Sequence, residues 1–173
     1  MREREGNMTC SECGHKTKKT KGDYEYKESG LDNVILKNIT IHKCPKCKEI
    51  MPEIPNIERL HKAIAYAIAK EPSPLTGAGI KFLRLQLGMK AKDFAAMMGV
   101  TDVTVSRWER GATPIGETSD RLVRLYLIQS LEESCNRVLK SSTEAIRAVT
   151  KEAPRRRAPI EITEKLRQNV CFA

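Results

Sequence analysis

Two Cys-x-x-Cys pairs, Cys10/Cys13 and Cys44/Cys47, are the residues of this chain best equipped for chemistry. Two sulfurs on one tight turn reach a single ion at about 2.3 Å, and two such turns supply the four thiolates of a tetrahedral Zn²⁺ cage. Ser11, Gly14 and Pro45 suit turns of that tightness. Four cysteines close the coordination shell, so the expected ion is structural, one Zn²⁺ per chain, rather than a catalyst with an open position. His15 and His42 flank the turns and are the alternative ligands, or else surface or neighbouring groups; the third histidine is His61. No Ser/His/Asp pattern or phosphate-cradling glycine loop accompanies them, which points to a binding protein rather than an enzyme.

A second group of residues suits DNA. The pattern predicts two short helices, over 90–98 and 101–109, joined by Gly99 and Val100, with Thr101 as the cap of the second. Such a pair places the N-terminal end of its second helix in the major groove. Val105 and Trp108 would anchor that helix from behind, leaving Thr101, Asp102, Val103, Thr104, Ser106 and Arg107 facing outward. Arg107 is the strongest of these candidates, because a guanidinium bonds O6 and N7 of guanine together. Lys90, Lys92 and Arg110 would hold phosphates.

The elements that must position these groups follow from periodicity. A short strand is expected over 23–26 after a Lys/Thr-rich connection, and a β-branched run over 34–42 leads directly into Cys44. Asn56 caps a predicted helix over 57–70, with Ile57, Leu60, Ile64 and Ile68 on one face. Pro72 and Pro74 stop it and stiffen a connection. Thr76 caps a helix over 79–87 with Ile80, Leu83 and Leu87 inward, and the helix over 90–98 turns Phe94, Ala95 and Met98 inward. The last helix, over 119–133, is apolar on two sides. Leu122, Leu125 and Ile128 can face the core, leaving Val123, Tyr126, Leu127 and Leu131 for a second surface, which suggests a homodimer. The expected organisation is an α+β chain of two domains. It comprises a β-rich zinc ribbon with a trailing helix (1–70), a Pro-rich linker (71–75), an all-α helix-turn-helix domain (76–135) and a basic, flexible tail (136–173) with a short helix over 160–169.

The formal net charge is +9, but its distribution matters more than its total. Residues 1–70 hold 14 Lys/Arg against 10 Asp/Glu, residues 71–135 hold 8 against 8, and residues 136–173 hold 9 against 4. DNA binding by the middle segment must therefore rest on placed side chains rather than on bulk charge. No apolar run reaches the roughly 20 residues of a membrane span, and the N-terminus lacks a secretion-like apolar stretch. A cytoplasmic location is expected, where thiols stay reduced and favour metal over disulfides. Cys135 and Cys171 are spare thiols that make redox sensing an alternative role.

The run from Leu87 to Ala95, followed by Gly99-Val100-Thr101 and by Ser106-Arg107-Trp108-Glu109-Arg110-Gly111, resembles the Xre/Cro type of helix-turn-helix. With the cysteine ribbon in front, residues 8–133 resemble the MqsA/YgiT-type antitoxin family. The resemblance implies a ribbon that contacts a toxin, often an mRNA-cleaving ribonuclease, and a second domain that dimerises on a palindromic operator to repress its own operon. A stand-alone regulator without a toxin is the alternative. Two positions depart from the family. Ala91 stands where Gln commonly touches DNA, and Val103 stands where Asn often reads bases; valine suits a thymine methyl but cannot bond adenine.

Overall fold

A computed structural model describes residues 8–135, 157–164 and 166. The chain forms a sheet that carries the cysteine cluster, followed by a helical region. In order these elements are β1 (Lys18–Glu25), a 3₁₀ turn (Lys27–Ser29), β2 (Val34–Lys43), β3 (Ile50–Pro52), α1 (Ile57–Lys70), α2 (Gly77–Gln86), α3 (Ala91–Met98), α4 (Asp102–Glu109), α5 (Glu117–Cys135) and β4 (Ile160–Ile162). β2 is the spine of the sheet. It pairs antiparallel with β1 and β3 and parallel with β4.

The inward residues of β2 switch parity, from Val34 and Leu36 to Ile39 and Ile41. A regular strand would turn one of these pairs to solvent, since side chains alternate faces. The register shifts opposite Asp23, and Asn38 adopts a left-handed φ of 51°. Asp23 stabilises the bulge: its Oδ1 accepts from Asn38 N at 3.0 Å and its Oδ2 accepts from Lys37 Nζ at 2.9 Å. Those bonds, the side-chain one from Lys37 first, hold the Asp23 carboxyl below its ordinary range.

Three expectations about the sheet and its neighbours need correction. β1 begins at Lys18, so much of the Lys/Thr-rich stretch taken as a connection is strand. Its side chains are largely exposed on both faces, and an edge strand of that kind leaves no alternating signal. Residues 160–162 form a strand rather than the start of a helix. Ile160 N donates to Asn33 O at 2.7 Å, and Ile162 is fully buried. Helical backbone begins only at Glu164, where Thr163 Oγ1 accepts from Leu166 N. Ile57, expected on the inner face of α1, is 52% exposed. The remainder of the segment 136–173, with Arg155, Arg156 and Cys171, lies outside the described residues.

α1 starts on Asn56, whose side chain accepts from Arg59 N at 2.8 Å. It buries Leu60, Ala63, Ile64, Ala65, Tyr66, Ile68 and Ala69, more than one face, because it packs against both β4 and the helices α2 and α5. The buried apolar side chains form one cluster from Tyr26, just after β1, and Leu36 of β2 through α1 to Leu131. His61 sits at this junction, with Nε2 2.9 Å from Tyr26 Oη and its ring edge-on to Phe82 at 5.6 Å. Burial pushes its pKa down.

The end of α1 is fastened by a buried ion pair. Arg124 and Asp120 of α5 are 0% and 1% exposed, and Arg124 Nε donates to Asp120 Oδ1. The remaining guanidinium hydrogens reach Ile68 O and Ala69 O at 3.1 Å, Glu71 O, and Ser73 O at 2.7 Å. Asp120 Oδ2 accepts from Leu75 N at 2.6 Å. A cation thus meets the negative end of α1 and bonds carbonyls of its last turn, among which Ile68 O also accepts from Glu71 N. Arg157 adds a second tie to the same stretch, donating to Pro74 O and lying 3.5 Å from Glu71 Oε1.

This pair also sets the facing of α5. Asp120 and Arg124 turn inward with Val123, Leu127, Ile128 and Leu131, while Leu125 is 50% exposed and Leu122 only partly buried. The expected facing is therefore reversed: Leu125 turns out to solvent, and Val123, Leu127 and Leu131, expected on a second surface, belong to the core. The apolar pattern of the helix does not reveal that two charged residues, Asp120 and Arg124, share its inner face. Replacing Arg124 by Ala leaves Asp120 buried without a counter-charge, and is expected to cost about 3–5 kcal/mol. The urea midpoint of the full chain measures this; an unchanged midpoint would contradict it.

Candidate metal centre and nucleic-acid interface

The two cysteine turns repeat one backbone design. In the first, Cys10 N donates to His15 O at 2.8 Å and Gly14 N to Cys10 O at 2.9 Å; in the second, Cys44 N donates to Glu49 O at 2.9 Å and Lys48 N to Cys44 O at 3.1 Å. Gly14 and Lys48 occupy equivalent places with φ of 69° and 68°. Glycine takes that conformation freely, whereas lysine is strained in it.

β2 delivers Cys44 directly into its turn, while Cys10 precedes β1 through the pairing of Thr9 with Lys16. The four sulfurs converge. Cys10 and Cys47 lie 3.5 Å apart, Cys13 and Cys44 3.4 Å, and Cys13 and Cys47 3.5 Å, with all four within 4.8 Å of one another. A tetrahedron with metal–sulfur bonds of about 2.3 Å has edges of about 3.8 Å, so the cluster has the dimensions of a four-thiolate metal site. Cys10 and Cys44 are buried, whereas Cys47 is exposed.

The sulfurs do not ionise independently. The backbone N–H of Cys47 is the main cause that brings the Cys44 thiol down to about 6. At Cys47 the Glu49 N–H acts downward, but the neighbouring thiols, Cys44 foremost, and burial hold it up at about 12. A thiolate at Cys44 thus disfavours a second at Cys47, and a cation between the two would offset that repulsion. Neither candidate histidine joins the cluster. His15 Nδ1 lies 3.3 Å from Cys13 O, while His42 is buried, 3.5 Å from Thr17 Oγ1 and 3.4 Å from Glu53 Oε2.

The helical region presents the second candidate site. Thr76 caps α2 through Gly79 N at 3.0 Å, and Thr101 caps α4 through Thr104 N at 3.2 Å. Gly99, with φ of 66°, turns the chain between α3 and α4. Behind α4, Val105 is fully buried and Trp108 is 6% exposed. Glu109 accepts two bonds from the largely buried Arg84 of α2, at 2.6 and 3.2 Å, and Arg84 also donates to Met89 O at 2.7 Å. This fork fixes the far end of α4 against α2. Thus Trp108 and Glu109 serve placement, and Arg107 is left outward.

Of the candidate contact residues, Thr101, Asp102, Val103, Arg107 and Arg110 are exposed and Thr104 and Ser106 are half-buried on α4 or at its ends. Lys90 and Lys92 are exposed at the start of α3. Among the described residues the Arg107 side chain enters no ion pair, whereas Arg110 Nε donates to Ser106 O at 3.2 Å and helps end the helix. Ala91, the departure from the Gln common in Xre-type domains, is partly buried against the core.

A positioning residue that the sequence reading missed is Gly77. A Cβ there would lie 2.5 Å from Glu109 O and 2.6 Å from Trp108 O, so α2 starts in direct backbone contact with the end of α4. The signal was present as a glycine just after the Thr76 cap, but its partner is distant in sequence.

A helix-turn-helix family model matches residues 80–128, from within α2 to within α5. This segment is a helix-turn-helix DNA-binding domain, and the function it carries is that of a DNA-binding regulator. No curated protein and no solved structure matches the chain. No described helix is long and apolar enough to cross a membrane.

Gly77→Ala is expected to destabilise the full chain by about 1–3 kcal/mol, since neither backbone can yield without moving α4. Lys48→Gly should instead stabilise it by about 0.5–1 kcal/mol by relieving a left-handed lysine. Urea denaturation of both variants checks the pair of signs; Lys48→Gly falling below the parent would contradict the second.

Proposed function

We propose that the chain is a transcriptional repressor that binds a palindromic operator as a homodimer through α4, with one structural Zn²⁺ held by Cys10, Cys13, Cys44 and Cys47. The observation that carries this reading is the exposed N-terminal half of α4, with Arg107 free of ion pairs among the described residues and the back of the helix locked by Val105, Trp108 and Glu109. In such a dimer the two α4 helices enter successive major grooves about 34 Å apart. Thr101, Asp102, Val103, Thr104, Ser106 and Arg107 then face the bases, and Lys90, Lys92 and Arg110 face phosphates. The outward side of α5, with exposed Leu125 beside half-buried Leu122 and Tyr126, is the proposed dimer contact. No catalytic step is proposed. Four thiolates leave zinc no open position, so the ion's contribution is to fold the two turns.

A toxin partner for the ribbon rests on the resemblance to the MqsA/YgiT-type antitoxins. Copurification with the product of a neighbouring gene tests it, and the stand-alone regulator is the reading that survives if nothing copurifies.

Arg107→Ala is expected to cost about 1–3 kcal/mol on the operator and to relax preference at one base pair. Fluorescence anisotropy on operator and random duplexes measures both. Equal losses on the two would count against base reading by Arg107.

A further inference from the structure

We propose that α4 recognises a thymine through its C5-methyl group, by Val103, next to the guanine taken by Arg107, and has no bidentate reader for adenine. This rests on the base-reading role of α4 proposed above. The polar groups of its first turn are partly engaged within the helix. Thr101 Oγ1 accepts from Thr104 N at 3.2 Å and lies 2.9 Å from Thr104 Oγ1, while Asp102 Oδ1 accepts from Val103 N at 2.9 Å. One hydroxyl donates to the other, and one carboxylate oxygen of Asp102 accepts from Val103 N.

What projects at the tip is an isopropyl group. Val103 is 55% exposed, among the few large apolar side chains that are, although its helix neighbours Val105 and Trp108 are buried. In the major groove the group that rewards an exposed aliphatic side chain is the thymine methyl. Adenine is recognised through a paired donor and acceptor, as Asn or Gln provides, and α4 (DVTVSRWE) contains neither. Val103 therefore senses an A·T pair from its thymine side.

Val103 and Arg107 stand four residues apart on one helical face, about 6 Å along the axis. Bases rise by about 3.4 Å along a strand, so the two side chains reach base pairs one or two steps apart. Each half-site is thus expected to hold a thymine within two steps of a guanine.

The test uses the full chain on a duplex obtained by selection from random sequence. Each thymine is replaced singly by deoxyuridine, which removes the methyl and leaves every hydrogen-bonding group in place. One thymine per half-site should lose about three- to fivefold in affinity, the size expected for one buried methyl. Val103→Ala should bind the thymine and deoxyuridine duplexes equally, with its thermal melt unchanged. Val103→Asn should shift selection at that pair toward adenine. If all deoxyuridine duplexes bind as tightly as the parent while Arg107→Ala still relaxes selection, the thymine contact is wrong and base reading by α4 stands. If Arg107→Ala weakens operator and random DNA alike, base reading fails and the thymine contact with it.

Discussion

The buried pair of Arg124 and Asp120 is the constraint on which the arrangement of this chain depends. One guanidinium closes the end of α1, holds the stretch from Glu71 to Ser73 and turns α5 inward; its carboxylate partner holds Leu75 one residue before the Thr76 cap. A charge with no exposure is unfavourable unless every hydrogen finds an acceptor, which limits the geometries that these segments can share. The start of α2, and hence the place where Gly77 meets the end of α4, follows from that limit.

Function is divided between groups that place and groups that are left free. In α4 the buried Val105 and Trp108, with Glu109 held by Arg84, leave Val103 and Arg107 as the unencumbered side chains of one face. The cysteine turns show the same economy. Their backbones are closed by matching hydrogen bonds, so the sulfurs converge to within 4.8 Å. The Cys44 thiol is drawn down and the Cys47 thiol held up, a repulsion that a cation among the sulfurs would offset.

Features carried by local chemistry were legible in the sequence: the cysteine spacing, the caps at Asn56, Thr76 and Thr101, and the glycine between α3 and α4. The features that escaped depend on partners far along the chain. β4 is a strand because Asn33 and β2 lie beside it, and residues 160–162 are too few to show a period. The bulge at Asn38 exists because Asp23 can bond to it. The facing of α5 depends on the buried pair of Asp120 and Arg124, which no apolar period shows, and on the α1 carbonyls that make burial of Arg124 tolerable. Ile57 conformed to the apolar stripe of α1 yet lies 52% exposed, since no described element covers its turn.

The central claim is that α4 is the surface which meets duplex DNA. Amide chemical-shift mapping of the isotopically labelled full chain, titrated with its selected duplex, tests this most directly. The account predicts that the largest changes fall on residues 90–92 and 101–110, with Val103 and Arg107 among them and the cysteine turns little affected. Changes confined to the sheet, with α4 unmoved, would contradict it.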